Sequence, residues 1–382
     1  MTTHHTADLP ALTGIRFFAA AAVLLSHFTA LGLIALPVGF LDFVDGGRTA
    51  VSLFFVLSGF ILTYNYSQLF GSAESQRFWA ARFARVWPTT VLAVAVGAIS
   101  VGYAVTHLNE RYLLDWFSLT PSNATPSLVV SLLSQLTMTT GWLPAASLNQ
   151  AWNGPAWSIA CEAFFYALFP FLVVRLRLWS NRRLVWLVTL GMLAQGLFII
   201  FVRAVAPIGQ RGFLVSQFPI THLLEFVAGI CTALLFARVG HNWLRQGYRR
   251  SIAIFGALLA IAMLSWLRPI DPAFFLLTPF FCVLIAGLAV PTRAGNGGLM
   301  SKGPLPLLGE ASFALYMLHV PLAHLLILSG VDTPWMGWIA VGGLVAFTIG
   351  IFQRFETPCR KWLRPRLSPR DPARSRTAPS GR

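Results

Sequence analysis

LPALTGIRFFAAAAVLLSHF, Leu9 to Phe28, decides how the rest of the chain is read. It sits in an apolar run from Leu12 to Ile34 that is long enough to cross a bilayer, yet it carries Arg16 and His27. The two residues are 11 positions apart, about three turns, so on a helix they share one face with about 16 Å between them along the axis. An ionisable group at bilayer depth costs about 2.5 to 3.5 kcal/mol on insertion scales. A membrane helix therefore keeps such a group where it faces protein interior or a wet cavity.

Composition places the whole chain in the same class. With 56% hydrophobic residues, 11% charged residues and a mean hydropathy of +0.68, the 382 residues read as a polytopic, all-helical membrane protein with no soluble domain. Helices are expected because backbone polar groups in lipid must be satisfied within the segment. Cys161, Cys231, Cys282 and Cys359 are irregularly spaced within or beside apolar runs, which fits neither a disulfide framework nor a metal knuckle. No metal site is expected. The segment before Pro10 lacks a basic region and a cleavage motif, so the first apolar run is expected to be retained.

Ten spans are expected, near 12–34, 50–66, 88–107, 157–174, 184–206, 219–237, 252–267, 272–290, 312–330 and 335–353. With a cytoplasmic N-terminus, the inside loops hold Arg77/Arg82/Arg85, Arg175/Arg177/Arg182/Arg183, Arg238/Arg245/Arg249/Arg250 and Arg293/Lys302, followed by the basic C-terminal stretch. The outside loops hold only Arg48, Arg111, Arg203/Arg211 and Arg268, accompanied by Asp42, Asp45, Glu110, Asp115, Asp271 and Asp332. This asymmetry is what the positive-inside rule requires, and it predicts that both termini are cytoplasmic. It also accounts for the net charge of +15 without nucleic acid, since the basic residues lie in short loops beside spans. The expected organisation is a cytoplasmic segment at 1–10, a transmembrane domain at 11–362 and a disordered basic tail at 363–382 beside anionic headgroups. The external segment Asn109 to Gly154 contains an apolar stretch, Leu128 to Leu143, that reads as a re-entrant or interfacial helix, because a full crossing would reverse everything after it.

Polar residues inside the spans are the candidate site. Asn153 and Trp157 open the fourth span, and Ser158, Glu162 and Tyr166 step by four along one helical face. A carboxylate at the depth of Glu162 calls for a basic partner, with His27 or an arginine the available choice. His222 and Glu225 are spaced i, i+3 in the sixth span, and Ser312, Tyr316 and His319 gather in the ninth, ahead of the kinking Pro321. Each also has a structural reading. Arg16 can snorkel, Arg82 and Arg85 can be plain charge anchors, His222/Glu225 and the ninth-span trio can be helix-packing glue, and Trp87, Trp142, Trp152 and Trp157 can form an interfacial belt.

Taken in order, LPALTGIRFFAAAAVLLSHF, SLFFVLSGFIL (52–62), RFARVWP (82–88), NGPAWSIACEAFFY (153–166), PITHLLEFVAGI (219–230), LGEASFALYMLHVPL (308–322) and FETP (355–358) resemble the signature of the bacterial acyltransferase 3 family of membrane O-acyltransferases, over residues 10 to 362. The resemblance implies ten transmembrane helices in the cytoplasmic membrane. It also implies an acyl-CoA donor, usually acetyl-CoA and not tightly bound, with transfer to a hydroxyl of a carbohydrate or small natural product. By that likeness Arg16 and His27 are the essential pair, Arg82 and Arg85 bind donor, Glu162 is the acid of the fourth-span motif, and Tyr316 and His319 match the late motif. Cys161 stands where a valine or similar residue is common.

The residues on their own are compatible with that chemistry. Arginines match phosphate well, and the stripe from Arg16 to His27 has a length that an extended pantetheine arm covers. In this reading Arg16, Arg82 and Arg85 hold the nucleotide end, His27 is general base on the acceptor hydroxyl, and Glu162 orients that imidazole; an acyl-histidine is the alternative. A proton-coupled transporter using the buried Arg/His/Glu set is the competing class, and a non-catalytic membrane scaffold is a third. Surface polysaccharide, lipid-linked glycan and macrolide-type acceptors remain open.

Overall fold

The computed structural model describes residues 9–37, 47–67, 71–107, 110–120, 122–240, 244, 246–267, 274–290 and 302–368. Asp42, Asp45, Asp271, Arg245, Arg268, Arg293 and the tail from 369 onward lie outside the described residues. Among the described residues the regular elements are all helical. They are α1 (Pro10–Ala30), α2 (Arg48–Tyr66), α3 (Ser72–Thr106), α4 (Glu110–Phe117), α5 (Ala124–Leu136), α6 (Trp157–Leu176), α7 (Asn181–Val205), α8 (Ile208–Ser216), α9 (Leu223–Leu235), α10 (Gly247–Leu267), α11 (Phe274–Ala289), α12 (Leu305–Leu328), α13 (Pro334–Ile351) and α14 (Thr357–Leu367).

Each of the ten expected spans falls on a helix. Among the described residues eight helices are long and apolar enough to cross a membrane, so the chain reads as an integral membrane protein; the other two expected spans are α9, of 13 residues, and α11, of 16. The expected ends were less accurate. Helix α3 starts at Ser72 rather than near 88, because the Glu74 side chain accepts from the Gly71 N–H at 3.0 Å and nucleates an earlier turn. Arg77, Arg82 and Arg85 therefore ride on a 35-residue helix and not in a loop. At the other end α14 runs to Leu367, past residue 362, and the Arg366 guanidinium stacks 3.9 Å from the Trp362 ring.

Helix α5 stops at Leu136, before the expected Leu143; at 13 residues it is about 20 Å long, short for a crossing. It pins the turn that launches α6. Trp87 Nε1 donates to the Leu136 carbonyl at 3.1 Å, Trp152 Nε1 donates to Leu128 at 3.1 Å, and the buried Gln135 amide donates to the Ala151 and Asn153 carbonyls. Trp152 adopts φ +65°, a strained conformation for a bulky residue, and it is held there by these contacts.

Two helix pairs position the site: α1 lies along α12, and α2 crosses α9. Gly59 presses on the Phe226 carbonyl while Gly229 presses on that of Val56, so the missing side chains bring the two backbones into contact. Gly309 does the same against the Thr13 carbonyl, fixing α12 on α1 one turn before Arg16.

Candidate active site

Two cavities open at opposite ends of α1. The first, of about 80 Å³, is lined by Arg16, Arg82, Arg85, Glu162 and Tyr166 among apolar residues of α2, α3 and α12. Three guanidinium groups and one carboxylate line the wall, and the Glu310 and Glu356 carboxylates lie within electrostatic reach of Arg16 and Arg85 from beyond it. Among the described residues none of these arginines sits in an ion pair, and the buried Arg82 Nε has no hydrogen-bond partner. The Arg82 head lies 5.8 and 5.9 Å from the Tyr66 and Phe78 ring centres, where the aromatic faces hold it in place. An unpartnered cluster of this kind suits a phosphate-bearing ligand.

The four-residue spacing in α6 puts Ser158, Glu162 and Tyr166 on this wall together. Tyr166 donates its hydroxyl hydrogen to Glu162 Oε2 at 2.5 Å. Glu162 is thus not the partner of His27: it faces the arginines at the depth of Arg16, whereas His27 is three turns further along α1.

The second cavity, of about 520 Å³, is lined by His27, Trp157, Arg48, Gln150, Asn149, Trp116 and His324, with further residues of α8 and α12. Arg16 and His27 therefore share one face of α1 but line two adjacent cavities rather than a common pocket. The cavities share two lining residues, Val51 and Tyr316. At this partition Ser158 Oγ and the Tyr316 hydroxyl share a hydrogen bond at 2.7 Å, and both reach the Pro155 carbonyl, at 2.9 and 3.4 Å.

His27 finds its partner on α12: its Nδ1 lies 2.9 Å from His319 Nε2. His319 is fully buried, and its Nδ1 is 2.6 Å from the Tyr316 carbonyl.

The remaining candidates stand one layer back. Asn153 lines neither cavity; its Nδ2 donates to the Met317 carbonyl at 3.1 Å and ties the start of α6 to α12. Glu225 is also outside both walls, buried 3.3 Å from His222 Nδ1, while His222 Nε2 donates to the Ser216 carbonyl at 3.1 Å. This pair braces the Ser216–Gln217 turn of the second cavity. Trp157, read both as a candidate site residue and as a belt residue, lines the second cavity with its ring 5.5 Å from that of His222.

Sequence reasoning passed over His324 and Tyr112. The Tyr112 hydroxyl lies 2.8 Å from His324 Nδ1, so the short helix α4 closes onto α12 over the second cavity. Burial pushes the Tyr112 phenol well above its ordinary value, so it stays neutral as this hydrogen-bond partner. The signal was a second histidine in an apolar helix five residues after the first.

A family model described as an acyltransferase domain, that of acyltransferase 3, matches residues 9–352. Among curated relatives, the acyltransferase MdmB of Streptomyces mycarofaciens is 28% identical over 81% of this chain and 78% of its own length. The putative peptidoglycan O-acetyltransferase YrhL of Bacillus subtilis is 24% identical over 84% of this chain and 49% of its own length. The peptidoglycan O-acetyltransferase OatA of Listeria monocytogenes is 23% identical over 92% and 56% respectively, so the chain spans about half of these last two. No solved structure matches.

Proposed function

Because the chain belongs to the acyltransferase 3 family, we propose that it is a membrane O-acetyltransferase that takes its acyl group from cytoplasmic acetyl-CoA and delivers it to a hydroxyl entering from the histidine side. The observation that carries this reading is the pair of cavities meeting at Tyr316 and Val51, with guanidinium groups at one end and His27 at the other. The family match leaves the transporter reading without support.

Coenzyme A carries phosphates at one end of an extended arm and a thioester at the other. Arg16, Arg82 and Arg85 bind the phosphates, and the arm runs along α1 so that the thioester reaches the Tyr316 layer. The roughly 16 Å between Arg16 and His27 suits that arm. His27 removes the acceptor proton as the oxygen attacks the thioester carbonyl; the C–O bond forms, the C–S bond breaks, and the proton passes on to the departing sulfur. Glu162 serves as counter-ion within the arginine cluster and not as a tuner of His27. The arginine asymmetry supports ten crossings with both ends in the cytoplasm of a bacterium, the cluster facing the donor pool. The acceptor class is a glycan or a hydroxylated natural product.

The test is transfer in proteoliposomes given radiolabelled acetyl-CoA and an extract of envelope saccharides. Label should enter the saccharide fraction, and His27→Ala should lower the rate by about 10² to 10⁴-fold with helical content unchanged. A variant that keeps more than about a tenth of the rate removes His27 from the chemistry.

A further inference from the structure

We propose that His319 is a positioning residue that sets the tautomer of His27 and so presents the Nε2 lone pair of His27 to the acceptor. The inference rests on His27 acting as base and adds what makes it one. A carbonyl oxygen only accepts, so the 2.6 Å contact of His319 Nδ1 with the Tyr316 carbonyl puts a proton on that nitrogen. In a neutral ring the other nitrogen, Nε2, then carries a lone pair. Its neighbour at 2.9 Å, His27 Nδ1, must therefore carry the proton of their hydrogen bond. His27 Nε2 is left unprotonated, in a side chain that lines the second cavity.

The reverse assignment fails. If His27 Nδ1 accepted, His319 would need protons on both nitrogens, placing a cation at a fully buried position where, among the described residues, no carboxylate pairs with either ring. The direction of the chain is thus set at its far end by a backbone carbonyl of α12, which no side-chain substitution removes, while the Val23 carbonyl of α1 also reaches the His27 ring. When His27 takes the acceptor proton on Nε2, it continues to donate from Nδ1 to His319, so the imidazolium forms with its second N–H already satisfied. This matches the part the aspartate plays for the histidine of serine proteases, performed here by a neutral ring.

Three substitutions separate this from simple packing. His319→Gln offers an amide oxygen near the position of Nε2 and restores the acceptor; His319→Asn reproduces only the Nδ1 donor; His319→Leu fills the space and offers neither. In the proteoliposome assay with acetyl-CoA, His319→Gln should keep kcat within about tenfold, and His319→Asn and His319→Leu should lose about 100-fold, with the KM for acetyl-CoA moving less than about threefold in all. Equal losses in His319→Gln and His319→Leu, with both eluting as folded protein, would overturn the tautomer role while an inactive His27→Ala keeps the base. Full activity of His319→Leu would overturn it as well. Activity in His27→Ala itself would instead remove the functional reading beneath it.

Discussion

Replacing Arg82 by methionine separates binding from stability more cleanly than any other change in the arginine cavity. Methionine keeps an unbranched stem against Tyr66 and Phe78 while deleting the guanidinium. Two opposing terms bear on the empty protein. The lost cation–π contacts cost about 0.5 to 2 kcal/mol. Against this, the buried Nε that now lacks a partner disappears, which relieves about 1 to 3 kcal/mol. The two nearly cancel, so thermal unfolding in detergent should shift by no more than about 2 °C. Donor binding has no such compensation. One of the three guanidinium groups is lost, and a hydrogen bond to a charged group contributes about 1.5 to 3 kcal/mol, or roughly 10- to 150-fold in the KM for acetyl-CoA. Steady-state transfer over a range of acetyl-CoA concentrations measures it, with dephospho-CoA donors reporting whether the 3′-phosphate is the group held. A KM that moves less than threefold, or a large fall in melting temperature with KM unchanged, refutes the assignment of Arg82 to the donor.

Glu162→Gln should lower the KM for acetyl-CoA severalfold, because it removes the single carboxylate from a wall of three cations; a large fall in kcat with KM unchanged would return Glu162 to the chemistry. Tyr166→Phe, which removes the hydroxyl bonded to that carboxylate, should behave as a weaker version of the same change in the opposite direction, by about two- to tenfold in KM. Tyr316→Phe deletes the hydrogen bond to Ser158 at the partition and should raise acetyl-CoA hydrolysis in the absence of acceptor, read as free thiol released; no change means the side-chain contact does not hold the layer shut. Gly229→Val drives a branched side chain into the Val56 carbonyl and should destabilise by about 1 to 3 kcal/mol or more, seen as a lower melting temperature; wild-type stability would show that the α2–α9 crossing has room to spread.

Much of the architecture was legible because lipid enforces a coarse code. An apolar run of about 20 residues has few options, and all ten expected spans lie on helices. The boundaries were less so, since Arg77, Arg82 and Arg85 read as loop anchors while a Gly71–Glu74 cap extends α3 through them. Single-helix spacing correctly grouped Ser158, Glu162 and Tyr166, and it put Arg16 and His27 on one stripe. It could not say that Tyr316 and Val51 part that stripe into two cavities. It also could not find the His27–His319 contact, which joins positions 292 residues apart and depends on the glycine-mediated approach of α12 to α1.

That Tyr316 and Val51 line both cavities has an electrical consequence. Where water fills both vestibules, the membrane voltage no longer falls over the whole hydrocarbon thickness but is focused across the side chains that part them. One elementary charge carried through the full drop changes energy by about 2.3 kcal/mol per 100 mV. A charged group carried through that layer would traverse most of the field, so an energised cell would bias any such passage through its membrane potential.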